Sequence, residues 1–360
     1  MKSYEEALEK QLRAITPPDE KARQAAARQW AACAKPLGSL GLLETALEQI
    51  AALTGQEVIT LGPRAVLVLC ADNGVVAQGV TQTDSSVTGI VTKNLAMKRT
   101  SVCRMAAVAG CKVVPVDMGI LDFAPTEGVL DRRIGNGTGD ISLGPAMSRE
   151  QAAKAVLTGM ELVREQKEQG MRLLATGEMG IGNTTTSSAV ASVLLHRPVT
   201  EMTGRGAGLS GEGLRRKIHA IEQAIVVNQP DDNDILDVLS KVGGFDIAGL
   251  CGVFLGGALY QVPILADGFI STVAALCAVR LCPAAEKAVL ASHVSAEPAG
   301  HLILEAINRE PLITAGMRLG EGTGAVAAMP LLDMARAVYA ESYTFEEGGI
   351  EAYVPQEDSV

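Results

Sequence analysis

The residues best suited to binding a phosphate lie in a glycine-rich segment, 177–186, which reads GEMGIGNTTT. It follows an apolar run and precedes a stretch rich in Ala and Ser, so we expect a loop between a strand and a helix. Glycines let a ligand approach the backbone, and the free N–H groups of a helix N-terminus attract anions. The segment is neither a Walker A loop nor a G-x-G-x-x-G fingerprint. A tight turn without a ligand is the alternative, but Glu178 beside a phosphate would be unfavourable unless it had a role.

A second segment, 318–325, reads RLGEGTGA and places Glu321 among three glycines, before an apolar stretch. Glu321 could act as a general base, because an apolar pocket raises the pKa of a carboxylate. The simpler alternative is a helix start, where a carboxylate favours the positive end of the helix dipole. Residue types alone favour that simpler alternative.

Two further segments carry polar side chains. Residues 204–208 read GRGAG and Lys217 follows, so this region is either a phosphate contact or a flexible loop with a solvated Lys. Residues 292–298 contain His293, and His301 follows shortly after. The chain has 4 His and no H-x-H or H-x-x-x-H pair, so we expect no metal site.

The elements that position these segments follow from apolar runs that end in polar loops. Four runs predict strands: 65–70, 111–116, 171–176 and 262–266. Helical spacing predicts helices over 3–31, 38–53, 87–109, 149–169, 185–195 and 213–227. This alternation is typical of an α/β fold with a mainly parallel sheet flanked by helices, of Rossmann-like type. Ligands bind at the carboxyl ends of such strands, where the glycine-rich loop should lie.

One uncharged stretch, 247–266, could be interpreted as a membrane-spanning helix with a G-x-x-x-G dimerisation face at Gly252 and Gly256. Gln261, Pro263 and the glycine content favour a different structure. We expect a buried, glycine-rich helix followed by a short strand at 262–266.

Composition narrows the function classes. The chain of 360 residues is 48% hydrophobic and carries a net charge of −10, so it can form a large core and disfavours nucleic acids and anionic membranes as partners. Its 7 Cys include no C-x-x-C pair, which indicates reduced thiols used in the core. Residues 1–6 have no apolar region of the secretory type, so we expect a cytoplasmic protein. The acidic end, 341–360, is predicted to be a surface tail.

Taken together, the segments resemble the nicotinate-nucleotide:dimethylbenzimidazole phosphoribosyltransferases of cobamide lower-ligand assembly. The resemblance covers most of the chain in the family's order. It rests on these strings: KPLGSLG at 35–41, ADNGV at 71–75, GPAM at 144–147, GEMGIGNTT at 177–185, VGGFDI at 242–247, DGFI at 267–270, SH at 292–293 and RLGEGTG at 318–324. The strings at 177–185 and 318–324 are the most specific of these.

The resemblance implies transfer of ribose 5-phosphate from nicotinate mononucleotide to a ring nitrogen of 5,6-dimethylbenzimidazole, with no cofactor and no metal. It implies that Glu321 is the general base and Glu178 a second catalytic carboxylate. The implied substrate and phosphate contacts are Gly180, Gly182, Asn183, Thr184, Gly206, Lys217, Ser292, Gly320 and Gly322. The implied acceptor pocket contains Met179, Leu319 and Ile90.

The sequence departs from the family in the region 80–105, where Ile90 occupies the place of a Gln that many members direct at the acceptor. Another benzimidazole, a purine or a phenol therefore stays open as the acceptor. The family also implies a homodimer whose large α/β catalytic domain (36–334) carries a small helical domain built from 1–35 and 335–360. A non-catalytic nucleotide-binding subunit of a paralogous pair is the alternative function, and retention of both glutamates argues against it.

Overall fold

A computed structural model describes residues 3–354 of the chain. Their strands form one six-stranded sheet in which every pairing is parallel. The strands are β1 (Arg64–Ala71), β2 (Lys112–Gly119), β3 (Leu130–Asp131), β4 (Leu173–Met179), β5 (Ile264–Ala266) and β6 (Val289–Ala291). The predicted parallel α/β fold is confirmed.

The helices lie between and around these strands. They are α1 (Tyr4–Leu12), α2 (Glu20–Ala32), α3 (Leu42–Thr54), α4 (Ser86–Ala96), α5 (Ser101–Val108), α6 (Arg149–Glu168), α7 (Asn183–Leu195), α8 (Val199–Met202), α9 (Gly211–Asn228), α10 (Ile235–Val242), α11 (Phe245–Tyr260), α12 (Phe269–Leu281), α13 (Gly300–Ala306) and α14 (Thr323–Glu341). Two short 3₁₀ helices span Gly74–Gln78 and Pro283–Ala288.

The sheet order is β3-β2-β1-β4-β5-β6. After β1 the chain forms β2 and β3 on one side of that strand, and it then forms β4, β5 and β6 on the other side. In doubly wound sheets a crevice opens at the carboxyl ends of the two strands where the order reverses. Here those strands are β1 and β4, and the polar loops 72–74 and 180–182 follow them. The topology therefore brings the predicted phosphate loop to the crevice.

The glycine-rich stretch at 247–266 forms a buried helix, α11, and the short strand β5, as predicted. Its glycines permit close packing on α6: a Cβ at Gly252 would lie 1.9 Å from the Val156 carbonyl oxygen. A Cβ at Gly159 would likewise lie 1.9 Å from the Gly249 carbonyl oxygen. Within residues 3–354, no helix has both the length and the apolar character needed to cross a bilayer.

The structure corrects the sequence-based boundaries in four places. The single helix predicted over 87–109 is two helices, α4 and α5, separated by a turn at 97–100. The helical stretch predicted over 3–31 is interrupted between α1 and α2, where the sequence contains Pro17 and Pro18. The short strands β3 and β6 were not predicted.

The predicted surface tail is wrong in part, since Phe345 is buried and its backbone N–H donates to the Ala32 carbonyl. Residues 355–360 lie outside the described part of the chain. The two ends of the chain also meet where Trp30 packs edge-to-face on Tyr339, with ring centroids 5.0 Å apart. The division into a large and a small helical domain stays a prediction.

Candidate active site

A cavity of about 340 Å³ opens at the carboxyl ends of β4 and β5. The predicted residues that line it are Glu178, Met179, Gly180, Gly182, Asn183, Thr184, Gly206, Lys217, Leu319, Gly320 and Glu321. Apolar side chains that also line it are Val80, Val91, Ile181, Leu209, Phe269 and Ile270. The fold therefore brings segments that are far apart in sequence to one cleft, whose wall contains both polar and apolar side chains.

Three of the predicted residues do not line this cavity. Ile90 on α4 is 56% exposed, and its neighbour Val91 faces the cleft instead. Ser292 is fully buried behind it, where its Oγ lies 3.1 Å from His293 Nδ1. Gly322 directly follows Glu321, and its backbone N–H donates to Asp267 Oδ2 at 3.1 Å.

The N-terminus of α7 forms one end of the cavity, lined by Asn183 and Thr184. Gly182 precedes the helix with φ +93°, a conformation that favours glycine, and Asn183 and Thr184 form its first turn. The start of a helix carries partial positive charge, although here the N–H groups of Asn183 and Thr185 already donate to the carbonyls of Gly180 and Gly182, at 3.2 and 2.9 Å. We infer that a phosphate fits this end of the cleft.

Lys217 on α9 reaches the same helix end. It is only 1% exposed, and its Nζ donates to Thr184 Oγ1 at 2.8 Å and to the Gly204 carbonyl at 3.2 Å. Burial lowers the pKa of Lys217 to about 8, although the charge of Glu297 opposes that shift. A buried ammonium whose hydrogen bonds go to neutral oxygens is suited to an anionic ligand.

Glu178 lies near the end of β4, next to Asn183 at the start of α7. Its Oε2 accepts a short hydrogen bond from Asn183 Nδ2, and the same Nδ2 donates to Asp246 Oδ2 at 3.0 Å. Burial raises the pKa of Glu178 to about 8; the Asn183 hydrogen bond opposes this, and the charges of Asp246, Asp267 and Glu321 add to it. Glu178 is therefore mostly protonated at neutral pH.

Glu321 occupies an unusual backbone conformation. Gly320, Glu321 and Gly322 all have positive φ, at +88°, +60° and +90°. For a non-glycine residue this left-handed conformation is unfavourable, by about 1–3 kcal/mol, and persists only where the surroundings hold it. The Glu321 carboxylate accepts from the Val102 N–H in the first turn of α5, at 3.3 Å.

Asp267 holds the Glu321 turn in place. Its Oδ2 accepts from Gly322 N at 3.1 Å, and its Oδ1 accepts from Gly324 N at 2.8 Å and Ala325 N at 3.1 Å. These bonds fix the backbone directly after Glu321 and cap α14 with a buried carboxylate. Burial raises the pKa of Asp267, while the charge of His293 opposes that shift.

Sequence reasoning missed Asp246 and Asp267 as parts of the site. Both carboxylates are buried and lie in strings used for the resemblance, Asp246 two residues after Gly244 and Asp267 directly before Gly268. Their positions between an apolar run and a glycine were the available signal. Within residues 3–354, no group of three or more His, Cys, Asp or Glu side chains is arranged to hold a metal ion.

A larger cavity, of about 790 Å³, lies away from this cleft, between α3, the 3₁₀ helix at 283–288 and α13. Two of its charged side chains already have partners: Arg309 Nη1 lies 2.7 Å from Glu286 Oε1, and Lys287 Nζ donates to the Thr16 carbonyl at 2.7 Å. The cleft at β4 instead collects the buried groups Glu178 and Lys217, whose pKa values are shifted toward neutrality, so we assign the chemistry there.

Comparison with known proteins identifies the family of the chain. The sequence model of a family described as phosphoribosyltransferase matches residues 15–350. A nicotinate-nucleotide–dimethylbenzimidazole phosphoribosyltransferase of Acetivibrio thermocellus is 48% identical over 89% of this chain and 92% of its own. The chain belongs to this phosphoribosyltransferase family.

Two further relatives extend the match. The protein of the same name from Roseiflexus sp. is 44% identical over 96% of this chain and 99% of its own. The crystal structure of CobT from Thermus thermophilus superposes with a TM-score of 0.88 at 37% identity, covering 92% of this chain and 100% of that one. Sequence and fold thus place the chain in one family over nearly its whole length.

Proposed function

We propose that the protein transfers the 5-phosphoribosyl group of nicotinate mononucleotide to 5,6-dimethylbenzimidazole, giving nicotinate and α-ribazole 5′-phosphate for the nucleotide loop of cobalamin. The observation that carries this proposal is the meeting of Glu321, the start of α7 and the buried Lys217 in one cleft. Family membership supports the choice of both substrates, since its members are named for them.

The phosphate of the donor is placed at the start of α7, against Thr184 and the Lys217 ammonium. Gly206 leaves room there, since a Cβ at this position would lie only 3.0 Å from Thr184 Oγ1, and its φ of +50° also favours glycine. This contact anchors the end of the donor that does not react. Binding energy at such a remote group orients the anomeric carbon toward the catalytic side chains.

Glu321 acts as the general base. One ring nitrogen of the acceptor attacks the anomeric carbon while the bond from that carbon to nicotinate breaks, and the bonding electrons return to the pyridinium nitrogen. The proton on the other ring nitrogen of the acceptor passes to the Glu321 carboxylate. Because the cationic pyridinium is already a good leaving group, positioning and deprotonation supply most of what the reaction requires.

Glu178 works in its neutral form. With a pKa of about 8, its carboxyl group carries a proton at pH 7 and can donate a hydrogen bond to the bound substrates. A neutral Glu178 also avoids electrostatic repulsion with the Glu321 side chain in the same cleft. Two neighbouring ionised carboxylates would repel each other in such a buried place.

The acceptor is placed against Met179, Leu319 and the apolar wall formed by Phe269 and Ile270. A flat, methylated benzimidazole fits such a surface, because it presents mainly apolar area and two ring nitrogens. Val91, which follows the exposed Ile90 on α4, also lines the cleft.

Further parts of the proposal concern the whole protein. We propose that it works as a cytoplasmic homodimer, supported by its 7 free thiols and by the family resemblance. We also propose that residues 1–35 and 335–360 act as a small helical unit beside the catalytic residues 36–334. Light scattering of the purified protein tests the dimer, and a monomer at working concentration would contradict it.

Replacing Glu321 with Gln tests the catalytic role. We expect kcat to fall by about 10²–10⁴-fold, the usual contribution of a general base, while nicotinate mononucleotide still binds. Glu310→Gln, a change at an exposed glutamate outside the cleft, is the matched control and should leave kcat unchanged. Unchanged turnover in Glu321→Gln would refute the assignment of the base.

A further inference from the structure

Asp246 is a buried carboxylate that the proposed reaction does not use directly. It is 0% exposed and lies in the first turn of α11, where its Oδ1 accepts from the Ile247 N–H at 3.0 Å. It does not line the cleft. Burying a carboxylate without hydrogen-bond partners is unfavourable, so the partners of Asp246 indicate what this residue does.

The amide of Asn183 joins Asp246 to Glu178. Each of the two hydrogens on Asn183 Nδ2 is directed at one carboxylate oxygen, Glu178 Oε2 on one side and Asp246 Oδ2 on the other. The second oxygen of Glu178 faces the opposite way, toward Gly320, where a Cβ would lie 2.6 Å from Oε1. One Glu178 oxygen is thus fixed, and the other is directed into the cleft.

Two glycines give this arrangement its space. A Cβ at Gly180 would lie 2.9 Å from Asp246 Oδ2 and 3.1 Å from Asn183 Nδ2. A Cβ at Gly244 would lie 2.5 Å from Asp246 Oδ1. The backbone therefore encloses the three polar side chains closely, and any larger residue would displace them.

The surroundings of Glu178 are acidic. The ionisable groups that face it are Asp246 on α11, Asp267 after β5, Glu321 before α14 and the Cys70 thiol on β1. Asp246 is itself faced by Asp72 after β1. Within residues 3–354, none of the ion pairs includes Glu178 or Asp246.

We propose that Asp246 is a positioning residue for the phosphoribosyl transfer, which acts through Asn183 on the orientation and the charge of Glu178. This inference rests on the proposed function, since it assigns a purpose to the neutral form of Glu178. Asp246 holds the amide so that only one Glu178 oxygen is free, and its negative charge disfavours a second negative charge on Glu178.

Two substitutions move the ionisation of Glu178 in opposite directions. Asp246→Asn keeps the size and removes the charge, so the pKa of Glu178 should fall by about 1–2 units. Asn183→Leu keeps the approximate size and removes the hydrogen bond that stabilises the ionised form, so the same pKa should rise. A role limited to packing would not give two opposite shifts.

Infrared titration of protein labelled with ¹³C-glutamate measures this ionisation directly. The band of a protonated glutamate that titrates near pH 8 is assigned to Glu178 by its loss in Glu178→Gln. Asp117→Asn is the matched control, because Asp117 is also a buried carboxylate at the carboxyl end of a strand and accepts from Gly119 N and Ile120 N. We expect it to leave the band's midpoint unchanged.

The expected result is a lower midpoint in Asp246→Asn, a higher one in Asn183→Leu, and a parallel shift in the alkaline limb of kcat for Asp246→Asn. Equal midpoints, or shifts of the same sign in both variants, would overturn the proposal. If Asp246→Asn does not fold, Asp246→Ser, which also removes the charge, takes its place, and an unchanged midpoint in it would overturn the proposal. The titration needs no substrate, so a failed transfer assay with correct band shifts would count against the proposed function alone.

Discussion

Replacing Lys217 with Met should separate donor binding from folding. Lys217 is the one buried cation at the start of α7 among the residues that line the cleft, and Met matches its length without the charge. A hydrogen bond to a charged group contributes about 1.5–3 kcal/mol, which corresponds to about a 10- to 150-fold change in affinity. We therefore expect the Kd for nicotinate mononucleotide to rise by that factor.

The same substitution should change stability much less than affinity. It removes the hydrogen bonds to Thr184 Oγ1 and the Gly204 carbonyl, which destabilises the fold. It also removes a buried charge, which stabilises the fold, so the two effects oppose each other. The unfolding free energy should therefore shift by about 1 kcal/mol or less, as measured by urea denaturation.

The pH dependence gives an independent check on the same contact. Since the pKa of Lys217 is about 8, the ammonium is present below that pH and is lost above it. The donor phosphate has its second pKa near 6, so its charge is constant above about pH 7. Donor affinity should fall by up to about tenfold per pH unit above pH 8 in the unchanged protein, and Lys217→Met should lack this fall.

Calorimetric titration with nicotinate mononucleotide measures the affinity and its pH dependence. Arg215→Met is the matched control, because Arg215 is an exposed cation on the same helix, α9. It should bind the donor like the unchanged protein. Equal donor affinity in Lys217→Met would refute the placement of the phosphate at the start of α7.

Two further predictions concern the framework of the site. Asp267→Asn replaces one of the two carboxylate oxygens, which together accept from the N–H groups after Glu321, with an amide nitrogen that cannot accept. We therefore expect kcat to fall about 10- to 100-fold with little change in KM. An unchanged kcat would show that the Glu321 turn is held without Asp267. Gly252→Ala forces a Cβ to within 1.9 Å of the Val156 carbonyl oxygen, so the unfolding free energy should drop by about 3 kcal/mol or more. The control Gly211→Ala should change it little, because nothing lies within 4 Å of a Cβ at that position. Equal denaturation midpoints in the two variants would contradict the close packing of α6 and α11.

The sequence predicted the parts of the fold that have a strong local signal. Apolar runs ending in polar loops located β1, β2, β4 and β5, because buried parallel strands are continuously hydrophobic. The strands β3 and β6 have two and three residues, too few for any pattern to identify. The order of the strands in the sheet depends on long-range packing and was beyond local reasoning.

The same limit applies to the site. Glycine-rich loops and glutamates between glycines are visible in sequence, so Glu178, Glu321 and the start of α7 were predicted, and the structure places them in one cleft. Asp246 and Asp267 were missed because a carboxylate at a helix start looks like an ordinary cap. Only the fold shows that Asp246 accepts from Asn183 and that Asp267 fixes the backbone after Glu321.

The most direct test of the proposed reaction is a product assay with purified protein, nicotinate mononucleotide and, in separate reactions, dimethylbenzimidazole, adenine and phenol. We predict release of nicotinate that depends on dimethylbenzimidazole, together with a new ribotide whose mass matches α-ribazole 5′-phosphate. Release with adenine or phenol instead would keep the reaction class and correct the acceptor. Donor binding without release in any of the three reactions would contradict the proposed reaction and favour a non-catalytic subunit.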